Sequence, residues 1–395
     1  MSKRVFFSVG EPSGDQHAAV LIREMRRRVP GLVCEGFTGP LMEEQGCRSI
    51  FRLTNLAVMG FLKVIPLILQ FFRLVKQAEC WFAEHRPDAV VLVDFPGFNW
   101  WIARKAKKAG IPVIYYLPPQ LWAWAPWRIK RVKRYVDEVI SGLSFERDWY
   151  ASRGVSVSFV GHPFFDEVAG TELDQGFLQR WSPRQHRIVG ILPGSRTQEV
   201  TRNFPAMIEV MKRVQAEHPD VTFLVANYRE SHREICEMML FQQSMPLPVA
   251  CIVGKTSEII QNAQCVLMVS GSVSLEIMAR GTPAIVMYRG SLGTYLLAKA
   301  LLTCKFMSLP NLMANRAVLP EFPFVRRVDF HADNMAEILN RWLDSNHDRQ
   351  SAVEDLLQLK QRYGKTGATA RTAELILRRI GLGDTATGGL QRRAA

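Results

Sequence analysis

The residues best placed to do chemistry sit in short turns that follow apolar runs. Val5 to Val9 leads into Gly10-Glu11-Pro12-Ser13-Gly14-Asp15-Gln16-His17, and Ala89 to Val93 leads into Asp94-Phe95-Pro96-Gly97-Phe98-Asn99. A carboxylate at the carboxyl end of a buried parallel strand is placed where open α/β sheets bind ligands, and apolar neighbours hold its pKa up toward general-base range. Asp94 is the first candidate base, with Glu11 and Asp15 beside it; the structural alternatives are caps for the helices that follow, and an ordinary polar contact for His17. In the second half, Pro193-Gly194-Ser195-Arg196-Thr197-Gln198-Glu199 and Ser270-Gly271-Ser272 each open a helix. Unpaired N–H groups, the helix dipole and the guanidinium fork of Arg196 all favour a phosphate or diphosphate there. Glu276 could accept two hydroxyl hydrogen bonds from a ribose. An ordinary strand–helix–strand unit with an N-cap serine is the alternative for this stretch.

The elements that must carry these turns read as two doubly wound parallel halves. In the first, strands are expected at 5–9, 89–93, 112–117, 139–140 and 158–160, within a sheet of six or seven. The second has strands near 187–192, 222–226, 249–253, 265–269 and 283–287, with Lys255 to Gln264 helical. The polar, turn-rich stretch 169–185 marks the boundary, giving domains at 1–168 and 183–345, helices over 346–382 and a frayed tail at 383–395. No G-x-G-x-x-G or Walker loop occurs, which argues against a dinucleotide or a P-loop nucleotide site.

The 395 residues carry 50 basic and 37 acidic side chains, a net +13, so anionic partners are expected. Seven cysteines, widely spaced and without a C-x-x-C pair, fit a reducing cytoplasm and exclude a disulfide framework or a zinc site. No signal peptide is evident. The stretch Leu56 to Phe82 is strongly apolar but interrupted by Lys63, Pro66, Gln70, Arg73 and Lys76. It is too broken to span a bilayer and reads either as an interfacial segment or as a buried helix kinked at Pro66. The loop Pro118 to Trp127 places Trp122, Trp124 and Trp127 beside Gln120, which suits a sugar or acyl-chain wall or plain aromatic packing.

Taken in order, GEPSGD, VDFPGFN, LPPQLWAW, FVGHPFFD, LPGSRTQE, SGSVSLE, GTPAIVMYR and SLPNL resemble the lipid-A-disaccharide synthase family over roughly residues 4 to 320. The resemblance implies a GT-B glycosyltransferase, two Rossmann-like domains facing a cleft, that joins UDP-2,3-diacylglucosamine to 2,3-diacylglucosamine 1-phosphate through an inverting β-1,6 transfer, with UDP released. It implies no metal and no cofactor. Asp94 is then the base, with Glu11 and Asp15 supporting it; Ser195, Arg196, Glu199, Gly271, Ser272, Ser274, Glu276 and Asn311 bind the donor. Ser13, His17, Asn99, Gln120 and Trp122 contact the acceptor sugar, and Phe61, Leu62, Leu67, Phe71 and Phe72 face acyl chains or the membrane. The implied partners are these two lipids and the anionic cytoplasmic face of the inner membrane, without nucleic acid; a homodimer is compatible with it. The chain departs from the family pattern at Gly97 (commonly acidic), Pro118 (commonly Ser), Ala18 (commonly Gly) and Glu321 to Phe324. Two rivals remain at this stage: another GT-B enzyme such as a UDP-GlcNAc transferase or 2-epimerase, and a non-enzymatic basic protein that binds membranes or nucleic acid.

Overall fold

The computed structural model describes residues 2–57 and 64–382. Phe61, Leu62, the tail 383–395 and the side chain of Leu67 lie outside the described residues. The chain forms two compact units, residues 1–166 with 366–395, and residues 167–365.

The first unit is built on a seven-stranded parallel sheet ordered β3-β2-β1-β4-β5-β6-β7. Its strands are β1 (Arg4–Val9), β2 (Val33–Thr38), β3 (Arg48–Arg52), β4 (Ala89–Val93), β5 (Val113–Tyr116), β6 (Glu138–Ser141) and β7 (Val157–Phe159). A parallel sheet must be covered on both faces. The period-2 alternation of β1 sends Val5, Phe7 and Val9 into one core with Leu21, Ile22 and Met25 of the helix Pro12–Arg28. Phe6 points into the other core, against Phe82 of the helix Val64–His85 and Phe98 and Ile102 of the helix Pro96–Lys108. Pro12 starts its helix where an N–H would have no partner, and Arg26, Arg27 and Arg28 close the last turn, where positive charge opposes the dipole. β2 and β3 are absent from the strands read out of the sequence pattern. Glu35 and Gly36 break the apolar run of β2, and Gly36 (φ +148°) makes a bulge so close to β1 that a Cβ would lie 2.0 Å from the Phe7 carbonyl oxygen.

The first unit is completed from the far end of the chain. Ala373, Ile376, Leu377 and Ile380, from the helix Ala368–Arg379 and its end, join the core beneath the helix Pro12–Arg28. Asp166 accepts from the N–H groups of Gly367 (2.5 Å) and Thr369 (2.9 Å), and the Arg371 guanidinium donates twice to the Val160 carbonyl at 2.7 and 2.9 Å.

In the second unit the order is β10-β9-β8-β11-β12-β13, all parallel. These strands are β8 (Arg187–Leu192), β9 (Val221–Asn227), β10 (Val249–Val253), β11 (Cys265–Val269), β12 (Ala284–Arg289) and β13 (Glu321–Phe324). The chain winds from β8 outward through β9 and β10, then returns to place β11 on the other side of β8, which makes the β8/β11 crevice the switch point. Glu321 to Phe324, seen in the sequence only as a departure from a family pattern, is the edge strand; Pro323 is tolerated because an edge has one side without ladder partners.

Ile376 is fully buried in the first unit's core. Ile376→Ala is expected to cost about 2–5 kcal/mol of that unit's stability. Urea unfolding followed by tryptophan fluorescence and far-UV dichroism checks this, and an unchanged midpoint would contradict the packing described.

Candidate active site

At the mouth of β4 the backbone enters an uncommon conformation. Asp94 and Phe95 have φ of +46° and +45°, and Leu117 after β5 has +48°. Side chains rarely adopt this left-handed region, which costs on the order of 1–3 kcal/mol per residue, so the surroundings must impose it. They do so through Asn99. Its Nδ2 donates to the carbonyls of Ser8 (3.2 Å), Val93 (3.2 Å) and Asp94 (2.8 Å), while its Oδ1 accepts from Ser8 Oγ at 2.6 Å. The Tyr115 hydroxyl donates to the same Asp94 carbonyl at 2.7 Å. Asn99 was expected to touch a sugar; it is fully buried and its amide is spent on the backbone, so its part is to hold the turn.

The Asp94 side chain is half-buried beside Gly14, where a Cβ would stand 3.5 Å from Oδ2. Burial, then the negative charge of Glu11, pushes its carboxyl up to about 7, with His17 opposing. Glu11, His17 and Asp94 therefore form one electrostatic group. His17 packs edge-on to His162 at 6.0 Å, and burial pushes His162 down to about 3, keeping it neutral. Asp15 does not join them. It is buried, and its two oxygens accept from the N–H groups of Leu41 (3.1 Å) and Met42 (3.0 Å), capping the helix Pro40–Glu44. That correction moves Asp15 from chemistry to capping. Ser13 lies exposed in the first turn of its helix.

Gln120 is exposed, but Trp122 is nearly buried, and its indole N–H donates to Glu146 Oε1 at 3.0 Å. Glu146 accepts from Ser141 Oγ at 2.6 Å on its other oxygen, and burial pushes it up to about 7. Trp122 is thus a packed element of the loop and not an open sugar wall. An apolar cavity of about 230 Å³ begins one residue beyond Asp94, between Ile68, Phe71, Phe72 and Val75 on one side and Phe95, Phe98 and Trp101 on the other. Gly97 lines it too, and its missing Cβ leaves open space.

In the second unit the two Gly/Ser turns follow β8 and β11, which pair directly, Val189 opposite Cys265. Gly271 and Ser272 are exposed at the start of the helix Val273–Arg280. After β8, the N–H groups of Ser195 (3.1 Å) and Arg196 (3.3 Å) donate to Glu199 Oε2, and Arg196 Nη1 donates to Glu199 Oε1 at 2.7 Å. The chain's own carboxylate occupies the amides that would suit a phosphate, so Glu199 orients Arg196 and is not itself a phosphate ligand. Ser274 is buried with its hydroxyl donating to the Gly271 carbonyl at 2.7 Å, and is likewise structural. Glu276 is nearly buried and accepts from Arg280 Nε at 2.9 Å. Asn311, expected at the donor, is fully buried: Nδ2 donates to Leu319 O and Glu321 Oε1, and Oδ1 accepts from Val318 and Leu319 N–H, all at 2.8 Å. Glu321 further accepts from Met307 N, Ser308 N and Ser308 Oγ, and so fixes the 307–321 loop.

Ser8, Tyr115, Glu146 and Glu321 were not singled out from the sequence. Ser8 and Tyr115 sit inside strands read only for hydrophobicity, and Glu146 lies in a charged run indistinguishable from a solvated helix face. Among the described residues no group of three or more His, Cys, Asp or Glu could hold a metal ion.

The profile of the lipid-A-disaccharide synthetase family matches residues 5–374. The chain is 34% identical over 375 residues to the lipid-A-disaccharide synthase of Myxococcus xanthus, covering 95% of this chain and 97% of the relative. It is 32% identical over 385 residues to that of Geobacter sulfurreducens, covering 96% and 98%. Among solved structures it resembles the UDP-GlcNAc 2-epimerase of Neisseria meningitidis bound to UDP-GlcNAc, with a TM-score of 0.64, 12% identity, and 96% and 100% coverage. It also resembles Acinetobacter baumannii MurG, with a TM-score of 0.58, 13% identity, and 96% and 100% coverage. These two likenesses establish the two-domain GT-B fold.

Because folding raises the Asp94 pKa, its contribution to stability is full below the unfolded value of about 4 and is lost as pH rises through the folded value. Asp94→Asn removes that loss. The stability difference, variant minus wild type, is expected to grow in the variant's favour from about pH 4 to about pH 7 and then level off. Urea midpoints across that range check it; a difference independent of pH would contradict the raised pKa.

Proposed function

The chain belongs to the lipid-A-disaccharide synthetase family, and is thus a hexosyltransferase of lipid A biosynthesis; from that premise we propose that it joins UDP-2,3-diacylglucosamine to 2,3-diacylglucosamine 1-phosphate, using Asp94 as the base. The observation that carries the reading is a carboxyl tuned to about 7 at the edge of an apolar cavity. An acceptor that is both a sugar and a lipid needs those two features side by side.

In this mechanism the acceptor 6-hydroxyl attacks the anomeric carbon of the donor. The O6–C1 bond forms as the C1–O bond to the diphosphate breaks, the configuration inverts, and the hydroxyl proton passes to Asp94. Glu11 and burial hold Asp94 basic enough to take that proton near neutral pH, and His17 keeps the pKa from rising further. Negative charge developing on UDP is met by the Arg196 guanidinium, aimed by Glu199, and by the N–H groups at Gly271 and Ser272. Glu276, held by Arg280, takes the ribose hydroxyls. Ser13 and Gln120, both exposed in the first unit, take the acceptor sugar, and an acyl chain enters the cavity between Phe71, Phe72 and Phe98.

Lipid substrates must be collected from a bilayer, and the first unit has a surface suited to it. Ile68, Leu69 and Phe72 of the helix Val64–His85 are exposed, as is Trp101, whose ring meets that of Phe72 at 6.0 Å. Arg73 and Lys76 follow on the same helix. No helix among the described residues is long and apolar enough to cross a membrane. This surface rests on the anionic cytoplasmic face of the inner membrane, with the apolar side chains entering it.

UDP release from UDP-2,3-diacylglucosamine in detergent, with and without 2,3-diacylglucosamine 1-phosphate, tests the reading. Acceptor-dependent release is expected, and Asp94→Asn should lower kcat by about 10²–10⁴-fold while UDP binding persists. Release without acceptor, or full activity in the variant, would overturn the reaction or the base respectively. Gly97→Phe should fill the cavity and raise the acceptor KM about tenfold or more, an effect that shrinks with short-chain acceptors; equal KM changes for all chain lengths would remove the cavity from acyl binding.

A further inference from the structure

The second unit carries an open basic groove that has no part in the proposed glycosyl transfer. At the carboxyl ends of β12 and β13, an open space of about 520 Å³ lies between Thr201 and Arg202, the turn Arg289-Gly290-Ser291, and Val325 and Arg326. It sits two and three strands from β8, whose turn carries Arg196. Its three guanidinium groups form no ion pair with a carboxylate among the described residues, unlike Arg187, Arg213, Arg233, Arg280 and Arg316 of the same unit. Three unpaired arginines around one open space repel each other, an arrangement that calls for an anion.

A second feature leaves directly from the groove's rim. The helix Leu292–Leu301 starts one residue after Ser291, and Leu292, Tyr295 and Leu296 are 52%, 46% and 57% exposed, with Leu301 and Leu302 exposed beyond them. Leu292, Tyr295, Leu296 and Lys299 follow the three- and four-residue spacing of one helix face. The sequence around it carries charge of one sign. Between Glu276 and Glu321 the sequence contains no acidic residue, while Arg280, Arg289, Lys299, Lys305 and Arg316 fall within it. An apolar helix face beside an open basic groove, in a segment free of carboxylates, matches the layering of a leaflet in which phosphates lie above acyl chains.

We propose that the groove of Arg202, Arg289 and Arg326, with the helix Leu292–Leu301, is a second membrane-docking site, in which the arginines seat the phosphates of anionic lipids while Leu292, Tyr295 and Leu296 enter the acyl layer. The site is independent of the Asp94 chemistry and of the Phe72 surface in the first unit. It gives the donor-binding unit its own hold on the bilayer.

The test is sedimentation of the full-length protein with vesicles of phosphatidylcholine alone or mixed with phosphatidylglycerol, with no turnover involved. To silence the first unit's surface, all variants are made in an Ile68→Asn, Phe72→Asn background. That background is expected to keep salt-sensitive binding to the mixed vesicles. Each of Arg202→Gln, Arg289→Gln and Arg326→Gln should lower partitioning about fivefold, the Lys replacements should restore most of it, and Leu292→Ser with Leu296→Ser should lower it comparably. Mixed-vesicle binding unchanged in the triple Gln variant would overturn the proposal. So would a triple variant that keeps vesicle binding but shows a raised acceptor KM in detergent, since the groove would then be a substrate-phosphate subsite; the raised KM would leave the glycosyl-transfer reading intact.

Discussion

The carbonyl oxygen of Asp94 accepts from two buried donors, Asn99 and Tyr115, and the first unit's site depends on that pair of bonds. They hold two successive residues in the left-handed region, so the chain turns from strand to helix within a few residues and leaves the carboxyl at the sheet's edge. Phe95 is carried by the same turn against Gly10, where a Cβ would lie only 2.3 Å from its ring. The ring then forms a wall of the apolar cavity. A polar clamp beneath the backbone thereby fixes two things above it: the depth at which the carboxyl is buried, hence its pKa, and the position of one wall of the apolar cavity. Asn99 and Tyr115 are positioning residues, and neither needs to touch a substrate to control one.

Much of the fold was legible because its strands are buried on both faces and read as continuous apolar runs: β1, β4, β8 and β11 stand out against Gly-rich turns. β2 and β13 do not, since one contains Glu35 and Gly36 and the other Pro323, and their strand character comes from neighbours distant in sequence. The site divides along a similar line. Residue type and place at a strand end single out Asp94, Glu11, Arg196 and Gly271 as candidates. Sequence could not reveal whether a polar side chain there faces outward or is consumed holding its own loop. Asp15, Asn99, Trp122, Ser274 and Asn311 all proved to be of the second kind, because each is buried and a buried polar group must be bonded.

In the second unit a carboxylate is satisfied by the backbone and side chain of its own turn. Glu199 sits on the amides of Ser195 and Arg196, the position a phosphate oxygen would otherwise favour, and pairs with the Arg196 guanidinium. The bond from Arg196 to Glu199 holds the guanidinium beside the turn. Glu321 plays a comparable part for the 307–321 loop, where one carboxylate gathers three donors of the backbone and hydroxyl type together with the Asn311 amide. In both places a negative charge is satisfied internally by donors of its own loop.

The first unit is discontinuous, and the helix Ala368–Arg379 that covers one face of its sheet is separated from Asp166 by the whole of residues 167–365. At about 5–20 residues per second of synthesis, that helix follows Asp166 by about 10–40 s. Throughout that interval the nascent first unit has its sheet but lacks Ala373, Ile376 and Leu377, so part of its apolar core stands open to water. The second unit, contiguous in sequence, is itself finished only at residue 365, three residues before that helix begins. The half that begins first is thus still open when the second has been made, and the clasp of Asp166 on Gly367 and Thr369 closes only after the whole of the second unit has emerged.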